Sequence, residues 1–189
     1  MSLLFLKRAI RNRKYVGAVA PSSRRLSRLM IESANLASSK NIVELGPGTG
    51  VFTREILNKK NSEVFYLGIE LDKSFVNLLK KNFPTSYIEH GSAEEIDKHL
   101  AKYNRTSCDR VISGLPWTSF DKKYQEALLK KIHDSLEEGG MFLTFSYFPF
   151  NHLPKGNSFK KLLYNYFSEV KMTKVVRNTP PAFVYICKK

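Results

Sequence analysis

The residues best suited to chemistry sit in one short run, Glu44-Leu45-Gly46-Pro47-Gly48-Thr49-Gly50. Glycines at alternate positions let the chain turn tightly and let a ligand lie against bare main chain. Their spacing separates the ligands such a loop can serve. Dinucleotide pyrophosphates are held by G-x-G-x-x-G at a helix N-terminus, and nucleoside triphosphates by a loop ending in Gly-Lys-Ser/Thr. Here the pattern is G-x-G-x-G, no Gly-Lys-Ser/Thr follows, and an acid, Glu44, stands two residues ahead of Gly46. An acid there is odd for a phosphate site and suits a ligand carrying an ammonium group. Glu70 follows Gly50 by twenty residues, the place for a carboxylate that accepts both ribose hydroxyls of a nucleoside. Further on, His90-Gly91-Ser92-Ala93-Glu94 forms a loop able to hold an adenine edge, and Ser113-Gly114-Leu115-Pro116-Trp117 forms a fourth candidate loop.

The elements that must position these loops alternate along the chain. Buried-strand patterns at 41–45, 63–71, 86–91, 108–114 and 141–148 are separated by helical patterns at 51–60, 74–83, 93–103 and 121–137, the last stopping at Gly139-Gly140. Strands alternating with helices of ten to fifteen residues predict an α/β fold with a mostly parallel sheet, and ligands bind at the carboxyl ends of its strands. A last helix over 158–167 precedes strands at 170–178 and 182–189, joined through Pro180-Pro181. So short a connection predicts an antiparallel pair.

Charge is distributed unevenly. The chain has 189 residues with 31 Lys and Arg against 17 Asp and Glu, a net charge of +14. Residues 1–31 hold eight basic side chains and no acid, and residues 152–189 hold eight with one acid, Glu169. The centre is nearly neutral, so the basic ends imply a polyanionic partner, either nucleic acid or an anionic membrane. Read as a helix, the first fourteen residues place Leu3, Phe5, Leu6, Ala9 and Ile10 on one face and Lys7, Arg8, Arg11 and Lys14 on the other. That arrangement suits a helix lying in a membrane interface, and equally one packing on its own domain. No apolar run is long enough to span a bilayer. Cys108 and Cys187 are too few and too isolated for a disulfide framework or a zinc site, and no metal is expected.

The glycine loop, Glu70 and the β/α order resemble a class I methyltransferase using S-adenosyl-L-methionine. That resemblance implies a Rossmann-like seven-stranded, mostly parallel sheet with an antiparallel C-terminal strand pair and helices on both faces. It also implies that Glu44, beside Leu45, Gly46, Gly48 and Gly50, lies near the methionine amine. Glu70 and Leu71 then lie at the ribose, Ser92 and Ala93 near the adenine, and Ser113 at the junction of cofactor and acceptor. The segments 16–30, 113–117 and 175–189 together resemble the bacterial phospholipid N-methyltransferases, small enzymes that convert phosphatidylethanolamine stepwise to phosphatidylcholine. This family reading divides the chain into an N-terminal docking and acceptor segment, 1–35, and a cofactor-binding domain, 36–189. It places the protein in the cytoplasm, peripherally on the inner face of the cell membrane.

Around the acceptor, Ser113, Leu115, Trp117 and Tyr15 are the catalytic candidates. A choline-like product is held by aromatic faces, for which Trp117, Tyr15, Tyr147 and Phe148 are placed near strand ends or in the N-terminal segment. Tyr15 and His90 are candidates for the base that takes the amine proton. Lys7, Arg8, Arg11, Lys14, Tyr147, Arg177 and Asn178 are the candidates for lipid contact, Arg suiting phosphate oxygens bidentately. The rival acceptor is RNA adenine. Enzymes of that kind place Asn or Asp where this chain has Ser113, and they carry a helical RNA-binding domain after the sheet, for which the residues beyond Cys187 leave little room. Nucleic acid is therefore the less favoured partner.

Overall fold

The computed structural model describes residues 22–189. Tyr15, Lys7, Arg8, Arg11, Lys14 and the expected amphipathic helix lie outside the described residues. Within them the chain runs α1 (Arg24–Ser33), β1 (Asn41–Leu45), α2 (Val51–Lys59), β2 (Phe65–Glu70), α3 (Lys73–Asn82), β3 (Tyr87–His90), α4 (Ile96–Ala101), β4 (Cys108–Ser113), α5 (Lys122–Ser135), β5 (Leu136–Tyr147), α6 (Pro154–Tyr166), β6 (Glu169–Met172) and β7 (Ala182–Lys188). The sheet has the order β3-β2-β1-β4-β5-β7-β6. β1 to β5 are parallel, while β7 is antiparallel to both β5 and β6. This is the expected Rossmann-like α/β architecture with its closing strand pair. The order reverses between β1 and β4, which makes their carboxyl ends the crevice of the sheet.

Strand alternation divides the core into two layers. Ile42, Ile112 and Leu143 turn to one face and pack with Leu26 and Met30 of α1, Phe52 and Ile56 of α2, and Val76 and Leu79 of α3. Val43, Leu45, Val111 and Phe142 turn to the other, against Ile96 and Leu100 of α4, Leu128 and Ile132 of α5, and Phe159 and Leu162 of α6. Helix α1 was not anticipated as an element. It starts at Ser23, whose extended backbone and side-chain oxygen on Leu26 N form an N-cap, and serine before a Leu26/Met30 spacing was the available signal. Because α1 buries Leu26, Met30 and Ile31 in the sheet's core, the described part of the 1–35 segment packs with the cofactor-binding domain rather than apart from it.

Three boundaries differ most from expectation. The strand expected over 170–178 ends at Met172, beyond which Val176 alone bridges back to Ala182. α5 ends at Ser135, and β5 begins at once with Leu136 paired to Cys108; Gly139, at φ +75°, lies where the β4–β5 register slips. The glycine pair is therefore a kink inside a strand and not a helix stop. α6 starts four residues early because Pro154 occupies its first turn, where a missing N–H costs nothing. Among the described residues no helix is long and apolar enough to cross a membrane.

Candidate active site

Four loops leave the sheet at one level. Leu45 is opposite Ile69 on β2 and Ser113 on β4, and Glu70 is opposite His90 on β3. The first amide after β1, β3 and β4 is bonded to a neighbouring strand: Gly46 N to the Ile69 carbonyl at 2.9 Å, Gly91 N to the Glu70 carbonyl at 3.0 Å, and Gly114 N to the Leu45 carbonyl at 2.9 Å. The loops thus begin anchored, and the predicted cofactor residues of β1, β2, β3 and β4 gather on one rim.

At the centre the β1 and β4 loops approach more closely than side chains allow. A Cβ on Gly46 would stand 2.7 Å from Leu115 Cδ2, and one on Gly114 would stand 2.7 Å from the Gly46 carbonyl. Gly48 is different. It has φ +59°, and a Cβ there would meet nothing within 4 Å among the described residues, so there is room beside this turn. The open glycine is held in place by Glu70. One carboxylate oxygen accepts from Gly48 N and the other from Asp72 N, both at 2.9 Å. Burial raises the Glu70 pKa, and these amide bonds oppose the rise. A carboxylate offers about four acceptor positions, so Glu70 keeps capacity for a further donor beyond these amides.

Glu44 shares a sheet face with Ile42 and is completely buried beside α2. Its Oε2 accepts from Tyr66 Oη at 2.6 Å and Thr53 Oγ1 at 2.8 Å, whereas Oε1 has no hydrogen-bond partner among the described residues. Burial pushes the Glu44 pKa up to about 7 despite both hydroxyl bonds, and it raises Tyr66 with it. A buried carboxylate with one vacant acceptor is costly unless a donor arrives. Sequence reading found Glu44 but missed Thr53 and Tyr66. The signal was there: Tyr66 follows the parity of β2, and Thr53 lies on the first turn of the helix that the glycine loop begins.

Leu45 and Leu71 are buried beside the rim, and Ala93 is 5% exposed. Ser92 is buried and caps the turn at 93–95 by accepting from Glu94 N at 3.3 Å. His90 Nε2 lies 3.1 Å from the Leu71 carbonyl. His90 stands on β3, three strand spacings from Ser113 on β4, roughly 14 Å across the sheet. That distance removes it from the proton-accepting place expected beside the acceptor.

The β4 turn requires a correction. Ser113 Oγ accepts from Leu115 N at 3.3 Å and from Trp117 Nε1 at 3.1 Å. Trp117 is 2% exposed, stacked on Phe159 at 5.0 Å and edge-on to Phe142 and Phe120. It is therefore a core anchor of the turn and not an open face for a choline-like cation. Leu115 backs the Gly46 loop. Ser113, Leu115 and Trp117 shape the rim and present no reactive group to it.

The lipid-contact candidates also separate. Asn178 is buried; its Oδ1 accepts from Ser23 N at 2.8 Å and its Nδ2 donates to the Pro180 carbonyl at 2.8 Å. Both ends are used to tie the start of α1 to the β6–β7 connection, so Asn178 is not free for a phosphate. Arg177 is exposed, and its carbonyl accepts from Ser23 Oγ at 3.0 Å. Tyr147, the last residue of β5, is half-buried with its ring 5.4 Å from Phe145.

Comparison with known proteins agrees with this geometry. The family described as a methyltransferase domain matches residues 42–140. The ornithine lipid N-methyltransferase of Singulisphaera acidiphila is 28% identical over 98% of this chain and 94% of its own length. A probable ribosomal RNA small subunit methyltransferase A of Thermococcus sibiricus is 32% identical, but over 46% of this chain and 29% of that enzyme. Among solved structures, an O-methyltransferase of Bacillus cereus in complex with SAH superposes with a TM-score of 0.67 at 11% identity, covering 100% of this chain and 92% of that one. A TehB-like SAM-dependent methyltransferase of Corynebacterium glutamicum gives 0.61 at 16% identity, covering 97% and 96%.

Proposed function

We propose, from the premise that this chain belongs to the S-adenosylmethionine-dependent methyltransferases, that its methyl acceptor is the primary amine of a membrane lipid. The observation that carries the reading is the end-to-end similarity to an ornithine lipid N-methyltransferase. The match to the ribosomal RNA enzyme stops short of half the chain. Phosphatidylethanolamine and ornithine lipid both offer such an amine at a bilayer surface, and the sequence resemblance favours the first.

The rim fits the cofactor. S-adenosylmethionine supplies an electrophilic methyl on a sulfonium centre. Glu44 Oε1, buried with no donor among the described residues, would take the amino acid ammonium. Glu70 accepts the ribose hydroxyls with the lone pairs left after Gly48 and Asp72, and Gly48 supplies the open main chain. Ser92 and Ala93 border the adenine. Ser113 and Trp117 hold the β4 turn rigid beside this site, so the chain's contribution is chiefly positioning of two reactants. Ser113 has its oxygen occupied by the indole, which argues against an adenine amine held there.

The test is methyl transfer from radiolabelled S-adenosylmethionine to vesicles of phosphatidylethanolamine with anionic lipid, vesicles of ornithine lipid with anionic lipid, and unmodified ribosomal RNA. Label in either lipid is the expected result and identifies the headgroup. Label in RNA alone sinks the lipid reading.

A further inference from the structure

Among the described residues, the densest group of exposed apolar side chains lies on the connection between β5 and α6. Phe148, Phe150 and Leu153 are 42%, 48% and 54% exposed, within six residues of one another. Scattered exposed apolar residues are ordinary, but a contiguous group marks an interaction surface. This group is held outward by construction. Between the exposed residues, Asn151 is buried at 4%. Gly156 packs so tightly beneath it that a Cβ would stand 2.6 Å from Asn151 Cα and from the Phe150 carbonyl. The Phe148 amide is bonded to the Pro181 carbonyl at 2.8 Å, and the Phe148 ring lies 5.8 Å from His152.

The position of this connection matters as much as its composition. β5 runs parallel to β4 and extends three residues past the level of Ser113, to Tyr147, so residues 148–153 lie at the cofactor end of the sheet. The β6–β7 connection reaches the same end, bringing Val175, 45% exposed, together with the exposed Lys174 and Arg177. α1 starts there too, since Ser23 is tied to Arg177 and Asn178, and it adds the exposed Arg24 and Arg25. Lys155 opens α6. This half of the rim carries no acid, because the one acid after Glu138, Glu169, pairs with Lys188 at the opposite end of the sheet. The other half is mixed, with Asp72, Glu94, Glu95 and Asp121 among its lysines.

We infer that residues 148–153 form a membrane-insertion loop, seating Phe148, Phe150 and Leu153 in the interface of an anionic bilayer while Arg24, Arg25, Lys155, Lys174 and Arg177 meet its headgroups. An apolar tip ringed by cations matches a surface that is apolar within and anionic outside. The choice of a lipid occupant rests on the acceptor reading above. Docking by this edge brings the cofactor rim to the depth at which a headgroup amine lies.

Two measurements test it on the full chain. Partition onto phosphatidylglycerol–phosphatidylcholine vesicles is compared with that of a variant combining Phe148→Ser, Phe150→Ser and Leu153→Ser, with S-adenosylhomocysteine affinity as the control for folding. The expected result is a loss of at least roughly tenfold in partition, from forfeited apolar burial, with nucleoside affinity within about twofold. Separately, the indole introduced by Phe150→Trp is quenched by brominated acyl chains, against a background of buried Trp117. Unchanged partition, or an indole indifferent to the bromines, overturns the inference. Quenching that appears only after residues 1–14 are deleted also overturns it, because the patch is then covered by the chain's own N-terminal segment. Methyl transfer to detergent-dispersed lipid without vesicle binding refutes the docking alone. Vesicle binding without transfer to any amine lipid refutes the acceptor alone.

Discussion

Glu44 holds a proton at pH values where an ordinary glutamate has lost it, and two consequences follow at the scale of this one residue. Its pKa rises from 4.5 to about 7 on folding, with burial the main cause. Between those values the folded chain binds a proton that the unfolded chain has released. The contribution of Glu44 to stability is therefore full below pH 4.5 and lost as pH rises through 7, a slope worth roughly 3 kcal/mol in all. Glu44→Gln has no proton to lose, so melting temperatures recorded without cofactor from pH 5 to 8 are expected to vary less than in the wild type. A bound ammonium favours the carboxylate form. Cofactor binding is therefore expected to release a proton below pH 7, seen as a dependence of calorimetric heat on buffer ionisation enthalpy, and Glu44→Gln abolishes it. Glu70 is the second residue to test. Glu70→Ala removes the acceptor for Gly48 N as well as the proposed ribose contact, so it weakens S-adenosylhomocysteine binding at least about tenfold more than Glu94→Ala, the loss expected for a charged hydrogen bond. Equal effects in calorimetry would displace Glu70 from the ribose.

At the scale of elements, the sheet and most helices were legible because periodicity and punctuation agree. β1 reads as an unbroken apolar-plus-acid run and is buried throughout. Asp121 reads as a helix start and caps α5 through Tyr124 N at 2.9 Å. The Gly-rich loop and Glu70 were legible for the same reason: their roles depend on spacing along one chain. What escaped depends on tertiary partners. Nothing local in the sequence says that the Trp117 indole turns back to Ser113, or that Asn178 is used up at both ends. Arg110 escaped as well. Inside β4, its guanidinium donates to the Ala34 carbonyl at 2.6 Å, to the Asp109 carbonyl at 2.8 Å and to Ser38 Oγ at 3.0 Å, while the Asp109 carboxylate accepts from the amides of Lys40 and Asn41. The pair fastens the end of α1 and the approach to β1. Arg110→Met strands buried carbonyls and an acid, and is expected to cost about 2–4 kcal/mol in urea unfolding. A cost near zero would mean that water replaces the guanidinium.

For the whole molecule, the decisive quantity is where the charge of +14 resides. The near-neutral centre builds the five parallel strands and the cofactor rim, and Arg24, Arg25, Lys155, Lys174 and Arg177 lie near the β5–β7 side of that rim, where Ser23 meets Asn178. Deleting residues 1–14 is expected to cut binding to anionic vesicles sharply while leaving cofactor affinity within a few-fold. Truncated protein that still pellets like the wild type would remove the N-terminal segment from docking. Binding of the intact chain should also weaken steeply between about 0.05 and 0.5 M salt, because the Debye length shrinks from roughly 13 to 4 Å over that range.

The one-sided rim also sets the order of events in an encounter. An excess of cations over acids on one half of the rim would give the molecule a lever on which an anionic surface exerts torque before contact, once the two are within a Debye length. The edge that arrives first is then the one carrying Phe148, Phe150 and Leu153. On the docking proposal, charge governs arrival and the apolar tip governs departure, so salt is expected to alter the rate of capture, whereas trimming those three side chains is expected to shorten the residence time. The number of methyl groups added per visit would then depend on the apolar connection between β5 and α6 as much as on any residue touching the cofactor.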